Sequence, residues 1–181
     1  MTDAAIATAD RVCGVYRLVA MDWTGDPVDL DGDGIARSLW EECLSGDNLG
    51  VEIPETGEID MTVNPIVYGQ TWPTSFNFLM FQGDFTPGEE RWIYSLVMVP
   101  SEYDILPDGT FSLYVPSEYR ESQRMPDNKV FGIRDISASW EADGDFLISG
   151  TTTFYDLLNK QSVEGRETLR FHCISTKERK K

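Results

Sequence analysis

A single histidine, His172, and only three cysteines in 181 residues exclude several common chemistries. His172 alternates with Phe171 and Cys173; if those two face inward it faces out, which leaves neither a catalytic triad nor a multi-histidine metal site. Cys13, Cys43 and Cys173 are too widely spaced for a disulfide scaffold or a CxxC metal site. A lone Cys43–Cys173 bridge and buried free thiols both remain open. Basic residues are also scarce, 15 against 31 acidic ones, for a net charge of −16. Such a field repels nucleic acid and anionic membrane and favours cations, cationic partners or plain solubility. No run approaches the ~20 apolar residues that span a bilayer, so no membrane insertion is expected. Met1 to Asp10 has neither a basic start nor a long apolar stretch; the chain reads as cytoplasmic, or as exported if a leader has been removed. There is no glycine-rich phosphate loop, nucleophile elbow or basic aromatic patch. Most carboxylates sit in turns (Asp84, Glu89, Glu90, Asp108, Asp143, Asp145), where solvation explains them, so an enzyme is not expected.

What is present is apolar and aromatic: 41% hydrophobic residues and 12% aromatics, enough for one sizeable core. Residues 11–176 read as a single domain, preceded by a flexible segment, 1–10, and followed by a basic tail, 177–181. Alternation marks Gly14–Trp23 as a strand, with Tyr16, Leu18 and Ala20 on one face. Ile35–Leu44 reads as a short amphipathic helix with Ile35, Leu39, Trp40 and Cys43 on its apolar side. Further strands are expected over Leu49–Ile53, Glu58–Val67, Ser75–Gln82, Arg91–Val99, Thr110–Val115, Lys129–Trp140, Phe146–Tyr155 and Glu167–Ser175. Turn residues separate them, among them Pro107-Asp108-Gly109 and Asp143-Gly144-Asp145. The fold class is therefore all-β and mainly antiparallel: an up-and-down β-barrel of about eight to nine strands, or a sandwich, with one short helix after the first strand.

The most informative stretch is Asp29-Leu30-Asp31-Gly32-Asp33-Gly34-Ile35. Alternate carboxylates followed by glycine form the opening half of a calcium loop, because Ca²⁺ takes six to eight oxygen ligands. The pattern offers Asp29, Asp31 and Asp33 by side chain and Ile35 by its carbonyl. Position twelve is Trp40, which cannot ligate, so Glu41, Glu42 or a distant carboxylate would complete the shell. A strand, not a helix, precedes the loop, so it is not an EF-hand. The alternative is a solvated turn that caps the helix.

Gly14-Val15-Tyr16-Arg17-Leu18-Val19 resembles the opening strand of lipocalins and related calycins, with Tyr16 in place of the usual tryptophan. The resemblance implies that a basic residue of the last strand, here Arg170, packs across that ring. The order of first strand, Asp29–Gly34 segment and Leu39-Trp40-Glu41-Glu42-Cys43 is similar to lipocalin-like domains of Bacteroidetes-type bacteria. The specific part covers residues 14–45 and implies fold more than activity. Such a barrel would be a non-enzymatic module for a small apolar or amphipathic ligand. Phe78, Trp92, Tyr94 and Trp140 would line it, and Arg17, Gln70, Tyr94 and Arg134 are the candidate polar anchors. Alternatively the barrel is filled by its own side chains and its surface engages a protein partner.

Overall fold

The structure, a computed structural model, describes residues 2–44, 58–61, 74–86, 91–115, 123–124, 130–131 and 133–176. It opens with helix α1, Asp3–Val12, where the sequence suggested a flexible segment. The Thr2 hydroxyl caps it by accepting the Ala5 N–H at 3.2 Å. Ala5, Ala9 and Val12 are buried, and the Thr8 hydroxyl donates to the Gly109 carbonyl at 2.7 Å. The Thr2 hydroxyl donates to the Pro107 carbonyl. Small side chains give this helix a weak periodicity, and it is held by docking on a turn a hundred residues away.

Strand β1 (Gly14–Trp23) pairs antiparallel with β2 (Glu58–Met61) on one side and β10 (Gln161–Thr176) on the other. Beyond β10 lie β9 (Phe146–Asp156) and β8 (Arg134–Trp140), giving the sheet order β2-β1-β10-β9-β8. A second sheet joins β3 (Thr74–Thr86), β4 (Arg91–Ile105) and β5 (Phe111–Tyr114) in order, and a ribbon joins β6 (Gln123–Arg124) to β7 (Val130–Phe131). All ladders are antiparallel, as expected for an all-β chain. They do not close into a hydrogen-bonded barrel among the described residues. The expected strand Leu49–Ile53 lies outside the described residues, as does most of Glu58–Val67.

Two expectations are corrected by local geometry. A bulge between Leu18 and Ala20 shifts the phase of β1, so that Met21 rather than Ala20 becomes the next buried residue after Tyr16 and Leu18. Helix α2 spans Leu39–Leu44 instead of starting at Ile35, because Arg37 is held in an extended bridge with Val28. Consequently Ile35 is exposed, while Leu39 is fully buried.

The core lies between the sheets. Phe146 is its centre at one end: Tyr16, Phe111, Trp140 and Phe171 all bring their rings within 6.0 Å of it. Tyr103 stacks on Phe111 at 4.8 Å and extends the cluster onto β4. Toward the other end Phe154 meets Trp23 and Tyr94 edge-on, at 5.2 and 5.9 Å. Burying such large rings stabilises the fold by roughly 1.5–3 kcal/mol each.

Candidate metal centre in the Asp29–Glu42 loop

The loop is closed at its neck by the Val28–Arg37 bridge, in which each N–H donates to the other's carbonyl at 2.9 Å. Val28 and Leu30 turn into the core and carry Asp29 inward between them, where it is 1% exposed. Asp29 then organises the loop: Oδ1 accepts the Gly32 N–H at 2.7 Å and Oδ2 the Gly34 N–H at 3.0 Å. Both glycines have positive φ, +79° and +86°, which is why residues without Cβ occupy these positions. Asp31 and Asp33 each accept a backbone N–H two residues on, from Asp33 and Ile35 respectively.

Helix α2 supplies the third carboxylate. Ser38 and Glu41 form a capping box: the Ser38 hydroxyl accepts the Glu41 N–H at 3.3 Å, and Glu41 Oε2 accepts the Ser38 N–H at 3.0 Å. These hydrogen bonds hold the Glu41 carboxyl below its usual range. With Glu41 on the cap, the next residue, Glu42, is the one that points into the loop, 1% exposed. One oxygen each from Asp29, Asp31 and Glu42 lie within 4.8 Å of one another. Oxygens this close suit a hard divalent cation, which Asp and Glu carboxylates ligate.

Arg37 is the counter-charge within the chain. It forms an ion pair with Asp33 at 2.5 Å, and its Nη1 lies 3.5 Å from Glu42 Oε1 and 3.8 Å from Asp31 Oδ1. One guanidinium faces three carboxyls, those of Asp31, Asp33 and Glu42. Burial, and then the charge of Asp31, push the Glu42 carboxyl up to about 7, against the opposing pull of Arg37. The Asp33 carboxyl is drawn down, first by its hydrogen bond from Arg37. The Ile35 carbonyl accepts from Arg37 Nη1 at 3.2 Å. Of the expected ligands the structure brings Asp29 and Asp31 together. It leaves Asp33 and Ile35 with Arg37 and Glu41 on the cap, and adds Glu42. Sequence spacing favoured Glu41, with Glu42 as an alternative; the S-x-x-E signature at Ser38 is the signal that separates them.

The residues expected around a small ligand are described only in part. Arg17 is exposed, Arg134 is exposed and paired with Glu164, and the side chains of Phe78 and Trp92, like Gln70, lie outside the described residues. Tyr94 is buried, its hydroxyl accepting the Tyr155 N–H at 2.6 Å. Trp140 packs on Phe111 and Phe146, and its indole N–H points to the Tyr16 hydroxyl at 3.4 Å. Arg170 binds Glu141 and Asp145 rather than the Tyr16 ring, and Arg11 lies instead over Trp140 at 5.4 Å. His172 is largely exposed and its Nδ1 lies 2.7 Å from Asp145. Cys13 and Cys173 are free thiols, and the Cys43 side chain lies outside the described residues. No family model matches the chain, and no curated protein or solved structure matches it.

Proposed function

We propose that this chain is a non-enzymatic binding module in which Asp29, Asp31 and Glu42 hold a calcium ion with a structural role. The convergence of one oxygen from each to within 4.8 Å of the others carries the reading. On binding, the ion takes over neutralisation of Asp31 and Glu42 and leaves Arg37 with Asp33. The remaining ligands are water or nearby carbonyls, and the ion's role is to fasten α2 to β1 and the β9–β10 turn.

The frame of the module is a lipocalin-like barrel for a small apolar or amphipathic ligand. Pairing of the first strand with the last supports this, as does the approach of β5 to β8 and of β2 to β3. A protein-interaction domain with a filled interior is the second reading, favoured by the ring cluster around Phe146.

Thermal unfolding in EDTA against a calcium titration, with magnesium as control, tests the metal. Calcium at 100-fold over Kd should add about 2.7 kcal/mol of stability. A calcium-specific rise in Tm is expected; an unchanged Tm at millimolar calcium defeats the reading.

A further inference from the structure

The inward face of β9 and β10 carries a carboxylate that the acidic loop does not use. Glu167 is 1% exposed, and neither of its oxygens meets a hydrogen-bond partner. Its cross-strand and diagonal neighbours on this face carry no charge. Across β1 it faces Trp23, whose ring lies over Gly165. Across β9 it faces Gly150, over which Ile133 packs. Thr152, paired with Gly165, is its diagonal neighbour on the same face, fully buried with its hydroxyl also unpartnered. Such diagonal positions are about 7–8 Å apart, so one small group can reach both.

Ser101, on the facing strand β4, is another buried hydroxyl without a partner, but it stands two residues from Tyr103, toward the Phe146 end. Glu167 and Thr152 are thus a pair of buried polar groups without partners on one inward face, whereas buried polar groups are ordinarily hydrogen-bonded.

We propose that Glu167 and Thr152 form an interior binding site for a small organic ammonium, whose N–H donors go to the carboxylate and the hydroxyl. An acceptor-only carboxylate and a hydroxyl match a group that is all donors, and the positive charge offsets the one charge that would otherwise be stranded. Trp23, half-buried beside Glu167, supplies an aromatic wall suited to a cation. Burial alone pushes the Glu167 carboxyl up to about 7, so the site lies near the point of ionising when a cation arrives. The proposal deepens the small-ligand reading above and rests on it; it does not depend on calcium.

The test is thermal unfolding with n-butylammonium chloride against n-butanol at matched ionic strength, in the wild type, in Glu167→Gln and in Thr152→Val. The ammonium should raise Tm selectively. Glu167→Gln should weaken its binding about tenfold or more, as loss of a charge-assisted hydrogen bond does, and Thr152→Val about two- to tenfold. Equal stabilisation by the alcohol, or an ammonium effect that survives in Glu167→Gln, overturns the Glu167 site while a ligand-binding interior stands. No stabilisation by either probe overturns the site and removes the support for a small-ligand interior as well.

Discussion

The Asp156 carboxylate accepts the backbone N–H of Asp29 at 3.0 Å, joining the end of β9 to the start of the acidic loop. One residue on, the Leu157 N–H donates to the Asp29 carbonyl at 2.9 Å. The main chain of the first candidate metal ligand is thus gripped on both sides by the β9–β10 turn. Asp156 also accepts from Leu158 and from the backbone and side chain of Asn159, and is itself 1% exposed.

Asp156→Ala should accordingly be among the costlier single changes in the chain. It leaves several N–H donors, that of Asp29 among them, without their acceptor, and each such orphan costs about 1–3 kcal/mol. A total of roughly 2–4 kcal/mol is expected, read as a lower urea midpoint with unchanged slope. Asp156→Asn, which keeps one acceptor oxygen in place, should lose less. Calcium affinity should fall with both, because the loop loses its anchor.

The sequence made the strands legible and their closure illegible. β1 is recovered to the residue, because Gly14 and the apolar alternation define it, while the bulge after Leu18 leaves no mark in the pattern. Helix α1 escapes because Ala5 and Ala9 give little amphipathic contrast; its stability comes from the distant Gly109 turn. In the loop, the alternating aspartates announce Asp29 and Asp31. Asp156 and Arg37 cannot be read there: one is 127 residues away, and the other binds through a fold-back that local spacing does not encode. Glu167 is equally hidden, since an acidic residue in a strand reads as outward-facing until its neighbours are known.

Glu41 and Glu42 should separate cleanly on substitution. Glu42→Gln removes a carboxylate from the cluster and should lower calcium affinity strongly, whereas Glu41→Gln should leave it nearly unchanged. Ser38→Ala should cost about 1 kcal/mol by loss of the cap. Calorimetric titration with calcium checks all three. Equal losses for the two glutamates would return the metal to the spacing suggested by the sequence.

Arg37→Gln should have the opposite sign. The guanidinium competes with any cation for Asp31 and Glu42, so its removal should raise calcium affinity several-fold while lowering stability in EDTA, where Asp31, Asp33 and Glu42 lose the positive charge that faces them. The pair of measurements must move in opposite directions; a parallel fall in both would mean that Arg37 helps to build the site.

Stability in EDTA should fall as pH rises from 5 to 8. Glu42 and Glu167 are both held up to about 7 in the folded chain, Glu42 by burial and then by Asp31, Glu167 by burial. Unfolded, each has an ordinary value of 4.5. Between those values the unfolded state has released a proton that the folded state still holds, so raising pH favours unfolding. The contribution is complete below 4.5 and gone once pH has risen through about 7. For Glu167 the ceiling is on the order of 3 kcal/mol, several degrees in Tm for a chain of this length. Glu167→Gln cannot ionise, so its Tm should fall less steeply across this range and should gain on the wild type toward pH 8. Saturating calcium should flatten the part due to Glu42, because the ion holds that carboxylate ionised below its metal-free value. Thermal melts at half-unit pH steps, for the wild type and Glu167→Gln, with EDTA and with calcium, resolve the two contributions separately.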